Sequence, residues 1–126
     1  MTRIDLLGTE PRGKERPRFD GRSRRAHMSD RYTLWKREVA VAAALQWRAN
    51  GRYGPIGGRG HRLGCRLVIT TTTGNMRPDL DNAVGAVWDA LVDGGILVDD
   101  RGFVALDARV VKGKARGIAV ELWEEP

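Results

Sequence analysis

The chain has 126 residues, 41% hydrophobic and 30% charged, which suits one domain with a modest core and leaves no spare length for a second. No apolar run approaches the roughly 18 residues of a membrane helix, "MTRIDLLGTE" lacks the features of a secretory signal, and a lone Cys65 excludes an internal disulfide or a multi-cysteine zinc site. A soluble, cytoplasmic protein is therefore expected, and its net charge of +6 and pI near 10.2 favour a polyanionic partner.

In chain order, residues 3–8 ("RIDLLG") read as a short strand. Residues 11–31 hold eight Lys or Arg against three acidic residues, with Pro11, Gly13 and Pro17 discouraging regular structure, so a basic, irregular arm is expected. An amphipathic helix follows over about 30–49, supported by Leu34, Val41 and Leu45 at helical spacing, an Ala-rich middle and an Asn50-Gly51 stop. Residues 51–60 form a glycine-rich loop without the Gly-Lys-Ser/Thr ending of a phosphate cradle. Residues 63–72, β-branched and starting near glycine, read as a strand. A second helix is predicted over 79–93, with Leu80, Val84, Val87 and Leu91 on one stripe and Gly94-Gly95 as its end. After "ILV" and the turn "DDRG", residues 103–112 and 116–123 alternate like paired strands around "GKA". The mixture predicts an α+β fold, a small mixed β-sheet with two main helices on one face, forming a single domain over residues 1–126. Cys65 and the tryptophans Trp35, Trp47, Trp88 and Trp123 read as core residues without a site role.

Charge is unevenly distributed. Residues 79–107 hold seven of the ten aspartates and only Arg101 as a cation, so this segment carries −6 while the remainder carries +12. An acidic island in a basic chain suits an enzyme that holds a divalent metal against a phosphate backbone, although mixed surface charge gives the same count. Asp79 after Pro78 also suits a helix cap, worth about 0.3–1 kcal/mol at the macrodipole. Asp81 lies about 160° further round the helix, so both cannot cap. Asp99-Asp100 suits a turn. If residues 96–98 lay beside the start of the second helix, Asp79, Asp81 and Asp100 would converge on one hard cation.

The stretch "RPDLDNAVGAVWDALVDGGILVDD" resembles the signature of the RusA-type Holliday junction resolvases: D-L-D-N, a helix ending D-A-L, and an Asp-Asp pair before a strand. "GKERPRF", "YTLWKREV" and "VVKGKARGIAVELWE" resemble the family's basic segment, first helix and terminal hairpin, so the likeness covers most of the chain and is weakest over 50–62. It implies a Mg²⁺-dependent endonuclease, with Mn²⁺ as a substitute, that cuts four-way DNA junctions by paired symmetrical nicks as a homodimer. It implies Asp79, Asp81 and Asp100 as metal-binding catalytic residues, with Asp99 ranked below them. DNA contacts are expected from Lys14, Arg16, Arg18, Arg22, Arg24, Arg25 and Lys112. No membrane and no further protein partner is expected, and a phage origin, with a place in the host cytoplasm, fits the resemblance. One position departs from the pattern: the family usually carries lysine four residues after the second aspartate, where this chain has Gly85. Either another cation replaces it, with Lys112, Lys14 and Arg16 as candidates, or the protein binds branched DNA with weak or no cleavage.

Overall fold

The computed structural model describes residues 1–15, 18–20, 25–27 and 29–126, with side chains described outside 16–28. Among the described residues the elements run β1 (Thr2–Leu7), β2 (Arg18–Asp20), β3 (Arg25–His27), α1 (Asp30–Ala49), β4 (Leu63–Thr71), α2 (Leu80–Asp93), β5 (Phe103–Lys112) and β6 (Gly117–Glu124). β1, β6, β4 and β5 form a four-stranded mixed sheet in that order, and β2 and β3 form a separate antiparallel ribbon. The α+β class and the two helices match expectation. The basic arm is more regular than expected, because its prolines and glycines fall outside the three-residue runs "RFD" and "RAH" that pair. Among the described residues, no helix is long and apolar enough to cross a membrane.

β4 is the centre of the sheet. Leu63, Cys65, Leu67 and Ile69 alternate onto the helix-covered face and are fully buried, as period-two spacing requires. Val84, Val87 and Leu91 of α2 pack into the same core, with Ala83, Ala86 and Ala90 buried beside them. Burial pushes the Cys65 thiol pKa up to about 11, so the residue stays protonated at neutral pH. Trp88 itself stacks on Phe103, with ring centroids 4.1 Å apart.

Two expectations fail on topology and on helix orientation. β5 and β6 form where predicted, yet they are not partners in a hairpin, because β4 lies between them, parallel to β5 and antiparallel to β6. The four residues joining β5 to β6 cross the end of β4, where the Gly113 N–H donates to the Thr71 carbonyl at 3.0 Å. A Cβ on Gly113 would sit 2.5 Å from Thr70 Cγ2, so the crossing requires glycine. On α1, the stripe that signals the helix faces outward: Leu34, Val41 and Leu45 are 59%, 56% and 65% exposed. Tyr32, Trp35, Val39, Ala43 and Trp47 face the core instead. Three large aromatics outweigh three aliphatics in buried area, and the two indoles also tie down loops, Trp35 Nε1 donating to the Glu10 carbonyl and Trp47 Nε1 to the Gly54 carbonyl.

Adjacent residues on α1 should therefore respond very unequally to truncation. Trp35→Ala is expected to lower unfolding free energy by about 3–5 kcal/mol, and Leu34→Ala by no more than about 0.5, as read by urea denaturation.

Candidate active site

β4 and β5 are parallel, with Leu63 opposite Phe103 and Thr71 opposite Lys112. The chain between them must return along the sheet, and α2 makes that return. The start of α2 thus lies at the Thr71–Lys112 end, and the loop leaving its last turn lies at the Leu63–Phe103 end.

At the first end, Asp79 is the N-cap of α2, with extended backbone (φ −64°, ψ 149°), and its carbonyl accepts from the Ala83 N–H at 2.9 Å. Its carboxylate makes no capping hydrogen bond. Asp81 stands in the first turn; both side chains are exposed, and neither has a hydrogen-bond or ion-pair partner among the described residues. The capping role available to Asp79 is thus not taken up, which leaves two bare carboxylates where the helix dipole favours negative charge. By contrast, the Ser29 hydroxyl caps α1 by accepting from the Tyr32 N–H at 3.2 Å.

The segment after β1 closes over this helix start. The Lys14 N–H donates to the Asn82 carbonyl at 3.1 Å. A Cβ on Gly13 would lie 2.7 Å from Asn82 Nδ2 and 3.1 Å from Pro78 Cβ, so the segment packs closely against the start of α2. Beside it opens a cleft of about 630 Å³, lined by Glu10, Arg12, Glu15, Arg31, Arg77 and Pro78 among others. Arg12 pairs with Glu10 at 2.8 Å, and no described carboxylate pairs with Arg31 or Arg77. These three arginines were not among the expected DNA contacts. Each carried a sequence signal, Arg12 and Arg31 as members of the basic stretch 11–31 and Arg77 by standing two residues before Asp79, but only the fold gathers them at one cleft. Lys112 belongs to the same end, since a Cβ on Gly74, in the loop leading to α2, would lie 3.3 Å from its Cβ. Of the other expected contacts, Arg16, Arg22 and Arg24 lie outside the described residues, and for Arg18 and Arg25 only the backbone is described.

At the second end, residues 96–102 are tied to the start of β4. The Ile56 N–H donates to the Ile96 carbonyl, the Val98 N–H to the Ile56 carbonyl, and the Leu63 N–H to the Gly102 carbonyl. Asp99 closes the turn, accepting from the Arg101 N–H at 2.9 Å and from its guanidinium at 3.2 Å. Asp100 is exposed and has no such partner among the described residues. Residues 96–98 therefore lie past the end of α2 rather than beside its start. Asp79 and Asp81 stand together, while Asp100 is separated from them by the length of a 14-residue helix, about 20 Å. Among the described residues, no three His, Cys, Asp or Glu side chains of the chain could hold one metal ion. Convergence of the three aspartates inside a single chain is thus not observed.

The family profile described as Endodeoxyribonuclease RusA matches residues 8–123. The chain belongs to the RusA endodeoxyribonuclease family. The match spans both acidic ends of the sheet and the segment folded over α2. As a RusA-family member the protein is a nuclease, and its mixed sheet with two helices agrees with that assignment. No curated protein sequence matches the chain.

A carboxylate kept for chemistry rather than for capping should cost little to remove. At moderate salt, Asp79→Asn is expected to change stability by a few tenths of a kcal/mol, while Ser29→Ala should cost about 1 kcal/mol, both read from thermal melts.

Proposed function

We propose that this RusA-family protein is a divalent-metal-dependent endonuclease that resolves four-way DNA junctions by paired symmetrical nicks. Mg²⁺ is its natural ion, with Mn²⁺ able to substitute. The whole chain, residues 1–126, serves as one endonuclease domain, acting in the cytoplasm as a homodimer. The observation that carries this reading is the bare aspartate pair at the start of α2 in a chain of the RusA family.

Carboxylate oxygens suit a hard cation, and Asp79 and Asp81 are free to supply them. Asp79 and Asp81 would hold a divalent ion, which when bound would supply polarisation of the phosphodiester and a water able to ionise near neutral pH. Asp100 is the third ligand, and the separation of the two ends means that a second copy provides it. The edge of the sheet suggests how. β5 is an edge strand, and Val104 and Leu106 on it are about half exposed. Two β5 strands pairing antiparallel about a two-fold axis bring the first residues of one beside the last of the other. Asp100 of one copy then approaches the aspartate pair of its mate. Two such sites form per dimer, matching the two-fold symmetry of a four-way junction. Arg31 and Arg77 in the cleft, with Lys14 and Lys112, hold the phosphates that flank the cut, and Arg16, Arg18, Arg22, Arg24 and Arg25 extend the contact along the strand.

The test is a labelled four-way junction incubated with the protein and Mg²⁺. Paired nicks at symmetrical positions are expected, absent in Asp81→Asn and in Asp100→Asn while junction binding persists. Nicking that survives in either variant would place the chemistry elsewhere. Binding without nicking by the unaltered protein, at every Mg²⁺ or Mn²⁺ concentration, would instead favour a junction-binding protein that does not cut.

A further inference from the structure

We propose that Lys14, delivered from the segment after β1 across the bare face of Gly85, is the catalytic cation that neutralises charge on the scissile phosphate. The inference rests on the nuclease reading and assigns a residue to its site.

Gly85 lies inside α2, where glycine costs about 1 kcal/mol relative to alanine, so its presence calls for a reason. The structure sets the Lys14 side chain over that position: a Cβ at 85 would lie in ordinary van der Waals contact with it, 3.5 Å from Cδ and 3.7 Å from Cβ, close enough to pack and not too close for alanine. The lysine stem thus lies along the face of α2 that glycine leaves open. Positions 81 and 85 are one turn apart and share that face, so the stem is held one turn from the position that carries Asp81.

Lys14 is held there by its backbone. Its N–H bonds to the Asn82 carbonyl, and the preceding Gly13 lies against Asn82 and Pro78. The ammonium, two bonds beyond Cδ, is not consumed by the fold. Lys14 is exposed, and it forms no ion pair within 4 Å among the described residues. The nearest carboxylate in sequence, Glu15, is turned toward Ser29, accepting from its N–H at 3.1 Å and its hydroxyl at 2.6 Å. An ammonium without an ion pair among the described residues, on a stem held against α2 one turn from Asp81, is free to meet negative charge that arrives with the substrate. Developing charge on a phosphate oxygen is the charge such a group stabilises best.

Single-turnover cleavage of a four-way junction, with enzyme in saturating excess, separates this role from binding. Lys14→Ala is expected to slow the cleavage step by about 10²–10³-fold, the effect of removing one preorganised donor. Its junction affinity should change only as the loss of one phosphate contact does, with the salt slope falling by about 1. The double variant Lys14→Ala with Gly85→Lys puts an ammonium back into the same space from the helix itself, and recovery of at least part of the lost rate is expected. Melting temperatures of both variants report whether they fold. Cleavage by Lys14→Ala at the unaltered rate, or a folded double variant no faster than Lys14→Ala, would overturn the assignment while leaving the nuclease reading intact. Absence of cleavage by the unaltered protein would overturn both.

Discussion

The parallel pairing of β4 with β5 governs everything else in this molecule. Two adjacent strands that run the same way cannot be joined by a tight turn, so the chain must travel the length of the sheet to come back. α2 is that return path. Its buried stripe of Val84, Val87 and Leu91 exists because it crosses the helix-covered face of the sheet, and its first turn points out at the opposite end from its last. Two pairs of aspartates flank this helix, Asp79 and Asp81 at its start and Asp99 and Asp100 beyond its end. The same constraint that builds the core therefore separates Asp79 and Asp81 from Asp99 and Asp100.

That separation explains how the two groups differ in use. Asp99 is absorbed by its own turn, bonded to the backbone and side chain of Arg101, whereas Asp79, Asp81 and Asp100 hold no partner among the described residues. An N-cap aspartate that makes no cap, and a turn aspartate whose neighbour does the turn's work, are carboxylates the fold does not need. Around the first pair, cations arrive from three separate stretches of chain: Arg12 and Lys14 after β1, Arg31 on α1, and Arg77 before α2. The basic balance of the composition thus becomes local at the place where a phosphate backbone and a metal would have to share space.

Much of this was legible in the sequence, for identifiable reasons. The boundaries of α2 and β5 followed from apolar spacing and from glycine and proline punctuation, which are local signals. The aspartate motif and its family followed from fixed offsets along the chain. Features that depend on neighbours distant in sequence could not be read. The outward face of α1 carries Leu34, Val41 and Leu45 at ideal spacing, yet Trp35 and Trp47 decide which side is buried through bonds to loops some distance along the chain. β5 and β6 alternate like a hairpin, and only the insertion of β4 between them reveals otherwise. The sequence offers Lys14 only as one of three candidates for the charge absent at position 85, and only the fold shows its stem against Gly85.

A division of ligands between two copies is the central claim we propose from the topology, and mixing variants tests it directly. Chains carrying Asp81→Asn and Asp100→Asn, with different tags, are co-expressed, and the mixed dimer is purified and given a four-way junction with Mg²⁺. Each variant alone is inert, but the mixed dimer has one site with both defects and one with none, so nicking of a single strand should return. A mixed dimer that forms and binds the junction yet remains as inert as its parents would contradict a shared site.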